Sequence, residues 1–315
     1  MIIQPGETSL LYVPLLKEES LTSWMFRLAN AHYCDLQTYF EGRVAPKLLR
    51  QIDFDVNPCQ LLLQEISRFT PIPSKNLRSF TLMNPKLSGF DKLMDRKFVP
   101  WLIASTRKKI GAFGLRICPG CWSRDKIAYH RIHWRLSLFF FCPECRVYLQ
   151  DHCSVCDYPI VYFHPDIPKF EEDPLDALRF CFHCSNNLIG EVIPLSLKHE
   201  VVANRVLNLM SGKANLPCSI EDYLVVLHYF AQRAFSEYQR QTDLKYLIQT
   251  RDRSRFLEVN SILRADFIDK AFEVFDEFPG IISKTKRNHL SVKAFWLRGF
   301  VEPPEWYFHR LLINE

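Results

Sequence analysis

Ten glycines in 315 residues leave little material for loops that wrap a phosphate. No Gly-x-x-x-x-Gly-Lys-Ser/Thr run occurs, which excludes a P-loop nucleotidase. Gly-x-Ser-x-Gly and His-Glu-x-x-His are missing too, so neither a nucleophile-elbow hydrolase nor a zincin is expected. No group of carboxylates stands out as a two-metal nuclease centre, although such a triad can be dispersed along a chain. No run of eighteen apolar residues exists, so no transmembrane helix and no membrane partner are expected. The opening Met1-Ile2-Ile3-Gln4-Pro5 has no basic segment leading into an apolar one. A secretory signal is therefore not expected, and the expected location is the cytoplasm. Apart from its cysteine pairs the chain has no repeat of 20–50 residues. At 48% hydrophobic and 24% charged it is a globular chain with room for two or three domains.

What the chain does have is cysteine in a pattern. Eight of its eleven cysteines form four Cys-x-x-Cys pairs: Cys118/Cys121, Cys142/Cys145, Cys153/Cys156 and Cys181/Cys184. Each pair sets two thiolates on one tight turn, and two pairs complete a tetrahedral four-thiolate zinc site. Twenty residues separate the first two pairs and twenty-four the last two, but only seven lie between Cys145 and Cys153. The expected cofactor is two structural zinc ions, on Cys118/Cys121/Cys142/Cys145 and Cys153/Cys156/Cys181/Cys184. A cross-brace, with the first and third pairs on one ion, stays open. His130, His133, His152, His164 and His183 crowd the region, but none is needed to fill the coordination number. Zinc held by four thiolates has no open position, so catalysis is not expected from it. Cystines would need an oxidising compartment, and a redox dithiol would appear as a single pair. Cys34, Cys59 and Cys218 read as small buried hydrophobes.

The net charge of +5 is unevenly spread. Residues 96–150 hold eleven basic side chains against two acidic ones, Asp125 and Glu144. Such a block suggests contact with a polyanion, and Lys108, Lys109, Arg116, Arg124, Lys126, Arg131 and Arg135 are the candidate nucleic-acid contacts. They suit backbone binding better than base reading, because nothing here spells out a recognition helix.

The expected fold is mainly α with small β, zinc-ribbon-like elements. Three segments are expected: an N-terminal helical domain over 1–110, a tandem zinc module over 111–192 and a C-terminal helical domain over 193–315. Ser20 caps a helix whose Leu21, Trp24, Leu28 and Ala31 share a face. After a break at His32-Tyr33-Cys34, Asp35 caps a second helix carrying Leu36, Tyr39 and Phe40, which gives a helix-turn-helix outline. Helices are also expected over 58–69, 74–80 and 196–210, from Ser219 toward Arg240, and over 254–277. Whether Tyr129 to Phe141 forms helix or strand stays open.

These pieces carry a family resemblance. Pro14-Leu15-Leu16-Lys17-Glu18-Glu19-Ser20-Leu21-Thr22-Ser23-Trp24-Met25-Phe26-Arg27-Leu28-Ala29 resembles the opening of TniQ/TnsD proteins. Cys118-Pro119-Gly120-Cys121, Tyr129, Trp134-Arg135-Leu136, Cys142-Pro143-Glu144-Cys145, Leu149 and Cys153-Ser154-Val155-Cys156 resemble that family's zinc block. The chain departs from the usual Cys-x-x-His at the second knuckle by having Cys145. The resemblance covers about residues 10–190. It implies a non-catalytic target-selection factor of DNA transposition. Such a factor joins a target-recognition complex to the AAA+ regulator TnsC. That complex is an RNA-guided CRISPR effector, Cascade-like or single-protein, with its guide RNA. Alternatives are a TnsD-like sequence-specific DNA binder acting on target DNA directly, or a zinc-containing transcriptional regulator. The resemblance also implies docking of TnsC on the N-terminal segment, at Glu19, Ser20, Trp24 and Arg27, and allows a homodimer.

Overall fold

The computed structural model describes residues 12–49, 53–84, 87, 90, 101–103, 115–161, 174–216, 218–241 and 260–276. Lys108 and Lys109 lie outside the described residues.

Helix α1 spans Leu21–Ala31 and starts where expected, with Ser20 Oγ accepting the Ser23 amide at 3.2 Å. A cap of this kind is worth about 1 kcal/mol. Every residue of α1 is buried. The turn His32-Tyr33-Cys34 leads to α2, Leu36–Phe40, capped by Asp35 through the Thr38 amide at 2.9 Å. With five residues, α2 turns Leu36, Tyr39 and Phe40 inward. The short helices α3 (Pro46–Leu49), α4 (Gln60–Phe69) and α5 (Ser74–Arg78) follow. The cysteine-rich stretch contributes one helical turn, α6 (Pro119–Trp122), and 3₁₀ turns at Ile132–Arg135 and Pro174–Arg179. The segment 129–141, left open between helix and strand, holds the first of these 3₁₀ turns and forms isolated β-bridges through Arg131, Leu136 and Phe141. Among the described residues, β-structure consists of isolated bridges. Three long helices close the order: α7 (Leu197–Met210), α8 (Ile220–Gln241) and α9 (Ser261–Asp276). Ser196 caps α7 through the His199 amide, and Gly212 follows the helix at φ +69°, where a side chain would be strained.

Two apolar cores result, and both draw on more than one of the expected segments. One joins α1, α2 and α4 to Ile117, Trp122, Trp134, Leu149, Ile160 and Leu188. Backbone bonds stitch the same junction: Ser20 N donates to His130 O at 2.8 Å and Ile132 N to Glu18 O at 2.8 Å. The other joins Leu82, Trp101 and the run Leu138–Phe141 to α7, α8 and α9. Trp101 Nε1 reaches Leu224 O of α8 at 2.8 Å.

Candidate metal centres

Three of the four cysteine pairs share one backbone design. The residue before the first cysteine pairs with the residue three after the second: Phe141 with Tyr148, His152 with Pro159, Phe180 with Asn187. Within each hairpin, the residue after the second cysteine returns its amide to the first cysteine's carbonyl. These bonds are Arg146 N to Cys142 O at 2.9 Å, Asp157 N to Cys153 O at 2.9 Å and Ser185 N to Cys181 O at 2.8 Å. That tight return needs a left-handed residue, and Arg146, Asp157 and Ser185 take φ of 57°, 59° and 58°. The pair Cys118/Cys121 is different. It caps and enters α6, with the Cys121 amide on Cys118 Sγ at 3.3 Å and Trp122 N on Cys118 O at 3.0 Å.

The eight thiols gather in two groups, Cys118/Cys121/Cys142/Cys145 and Cys153/Cys156/Cys181/Cys184, the sulfurs of each lying within 4.8 Å of one another. The cross-brace arrangement is not the one formed. All eleven cysteines are free. Sulfur–sulfur distances are 3.5 Å for Cys121–Cys142 and for Cys121–Cys145, 3.8 Å for Cys153–Cys184 and 3.6 Å for Cys156–Cys181. Tetrahedral bonds of about 2.3 Å hold sulfurs about 3.8 Å apart, so both groups fit a metal ion of zinc's size. Hydrogen bonds from Cys118 and Cys121 pull Cys142 down to about 4, while hydrogen bonding with its neighbours and burial push Cys118 up. Four ionised thiols in this space require a cation among them.

The histidines near these clusters do other work. His130 packs edge-on to Trp122 at 5.2 Å, and burial pushes it down to about 3. His133 lies against Phe139 and is likewise pushed to about 3 by burial. His152 bonds Asp151 at 2.7 Å, which raises it, and His183 stacks on Tyr158 with ring centroids 4.8 Å apart. His164 lies outside the described residues.

The charged candidates separate by burial. Arg116 is 1% exposed and donates to the carbonyls of Phe139 (2.6 Å), Trp134 (2.8 Å) and Leu136. Arg135, equally buried, bonds Asp53 and Asp55 at 2.5 Å each and Ile103 O at 2.9 Å. Arg131 is held by Asp125 at 3.0 and 3.1 Å and lies 4.5 Å above the Tyr129 ring. These three, named above as candidate nucleic-acid contacts, are buried side chains held by partners within the fold. Arg124 and Lys126 are exposed, and Arg124 Nη2 lies 2.9 Å from Cys145 Sγ.

The expected docking residues are buried as well. Arg27 clamps Glu19 through Nε and Nη2 at 2.8 Å each, and both side chains are at most 1% exposed. Ser20 caps α1, and Trp24 Nε1 donates to Val13 O at 2.9 Å. These four side chains are internal and hold the N-terminal segment in place.

Sequence reasoning missed a relay that seats α7. Tyr148 Oη bonds His199 Nδ1 at 2.6 Å, and His199 Nε2 bonds Asp266 of α9 at 3.2 Å. Arg146, in the second knuckle, bonds Glu200 of α7 at 3.0 Å and Asn204 at 2.8 Å. The Cys142/Cys145 knuckle therefore carries the C-terminal helices directly.

Residues 10–149 match the model of the family described as TniQ. Over that stretch the chain is similar to TniQ domains. The match takes in α1 to α6 and the whole first cluster, and it ends before the second. No curated protein matches the chain. TniQ domains are non-catalytic accessories of DNA transposition with a role in choosing the target. Among the described residues, no helix is long and apolar enough to cross a membrane.

Proposed function

We propose that this protein is an adaptor in target selection, joining an RNA-guided CRISPR effector, or another target-recognition complex, to the AAA+ regulator TnsC. The observation that carries the reading is the TniQ match over the same stretch that builds the first core around the first cysteine cluster. Two four-thiol clusters replace bulk apolar core with metal bonds, which suits a rigid connector. The metal in this reading is zinc, with every thiolate engaged and no position left for substrate. Docking of TnsC belongs on exposed residues, because Glu19, Ser20, Trp24 and Arg27 are internal. Exposed Arg124 and Lys126 remain as candidate contacts to a nucleic-acid backbone.

The test is reconstitution from the genes that flank this one. Co-elution of the full chain with the ATPase and the effector on size exclusion is the expected outcome. If the isolated chain instead binds one duplex sequence tightly and ignores the ATPase, a TnsD-like reader or a regulator replaces the adaptor. Nucleic-acid affinity should fall steeply with salt, and a flat response would remove Arg124 and Lys126 from the account.

A further inference from the structure

The two clusters differ in what surrounds their sulfurs. In the first, Cys118, Cys121 and Cys142 are at most 1% exposed and only Cys145 reaches partly to solvent. In the second, Cys156 and Cys184 are both half-buried. A chelator or competing thiol must approach the ion through such openings, and the second cluster has two.

Charge separates them as well. Four thiolates around a divalent ion carry a net charge of about −2. Beside the first cluster, Arg124 Nη2 is 2.9 Å from Cys145 Sγ, and the Glu144 carboxylate lies 3.7 Å from Cys121 Sγ. The sulfurs of the second cluster take hydrogen bonds from neutral groups: Asn186 Nδ2 to Cys184 at 3.3 Å and the His183 amide to Cys181 at 3.4 Å. A charge-assisted bond is roughly twice as strong as a neutral one.

Packing adds a third difference. A Cβ added at Gly120 would stand 3.2 Å from Cys145 Sγ, so the chain is closed tightly over the first cluster at its exposed corner. Trp122 beside Cys121 is fully buried in the first core, and Arg146 beside Cys145 is clamped to α7. Around the second cluster, Ser185 and Asp157, each next to a cysteine, are exposed.

We infer that the first cluster keeps its ion while the second exchanges its own, so that the protein has a stable state with one ion bound. This rests on the reading of both clusters as metal sites. Loss of the second ion leaves the Arg146–Glu200 clamp in place, because Arg146 adjoins Cys145 of the first cluster.

Metal analysis of the purified full chain comes first. Two ions per chain satisfy the premise, and fewer than one per chain overturns the metal reading and this inference with it. The holoprotein is then mixed with excess chromophoric chelator, 4-(2-pyridylazo)resorcinol, and release is followed by absorbance. Two equal phases are expected, their rates at least about tenfold apart, given that groups bonded to ligands shift metal affinity by 10- to 100-fold. Circular dichroism at 222 nm should hold steady through the fast phase. Cys184→Ser should abolish the fast phase and leave one ion, and Cys156→Ser should do the same if the first variant misfolds. Arg124→Gln should quicken the slow phase alone. Release of both ions in one phase, or a fast phase that survives both cysteine variants, overturns the inference.

Discussion

Replacing Arg27 with alanine should cost this protein a large part of its stability. Glu19 is fully buried and accepts four hydrogen bonds: two from Arg27 at 2.8 Å, one from Ser23 Oγ at 3.0 Å and one from Leu16 N at 3.1 Å. Burial raises the Glu19 pKa and the Arg27 charge works against that rise. Without Arg27 the carboxylate must either stay charged in an apolar core or take up a proton. Breaking a buried pair from one side costs about 3–5 kcal/mol. Against a total stability of about 5–15 kcal/mol, that is a severe loss. It corresponds to a fall in Tm of roughly 6–20 °C, read by circular dichroism of the metal-loaded chain. The double variant Glu19→Leu/Arg27→Met should recover most of the loss, since a packed apolar pair of similar volume often matches a buried ion pair. A Tm within about 2 °C of the parent for Arg27→Ala would refute the reasoning. One practical corollary concerns docking experiments. Under the proposed adaptor role, loss of ATPase binding on mutating Arg27 or Trp24 would report unfolding and not a contact.

The knuckle turns offer a contrast between neighbours. Ser185→Gly relieves a left-handed serine and should raise stability by about 0.5–1 kcal/mol, whereas Arg146→Gly, at the same φ, should lower it by releasing Glu200 and Asn204. Equal effects at the two sites, measured by thermal melts, would contradict the account. Acid should weaken the fold through His133, held neutral by burial with its pKa pushed to about 3. The unfolded chain takes a proton there below about pH 6.5 and the folded one does not, so stability falls as pH drops through 6.5, by about 2 kcal/mol at pH 5. His133→Phe should shrink the difference in urea-derived stability between pH 7 and pH 5 by about that amount, and an unchanged difference would argue against it. Complete metal removal should loosen α7 to α9 as well as residues 115–161 and 174–192, because the Cys142/Cys145 knuckle carries α7. Amide exchange in α7 that stays as slow after chelation as before would show the helices to be independent.

Local signals in the sequence translated well into local structure. Ser20 and Asp35 cap helices because a short oxygen-bearing side chain ahead of an apolar face has one favourable place to go. The spacing of the cysteine pairs left the sequential and the cross-braced groupings both open, and the thiols gather in the sequential one. The roles of the arginines were not legible. A charge count treats Arg116 and Lys126 alike, yet one feeds three carbonyls in the interior and the other faces water. The partners that bury Arg135, Asp53 and Asp55, lie 82 and 80 positions away. Nothing in local pattern announces a pairing over that distance. Glu19 and Arg27 are only eight positions apart, yet their sequence does not announce that they form an internal clamp. The alignment of His199 between Tyr148 and Asp266 was equally hidden, since it needs three separate segments to meet.

The junction at Ile117 and Gln150 bears on how the molecule can be dissected. These two residues exchange backbone bonds at 2.9 Å, and Leu115 N reaches Ile160 O at 2.7 Å. A recombinant fragment cut at residue 149, where the family match stops, would strip both partners from the strand-like segment ahead of α6 and bare Leu115 and Ile117 to water. Soluble expression of the N-terminal half therefore calls for a boundary beyond Leu188, whose side chain completes the same core.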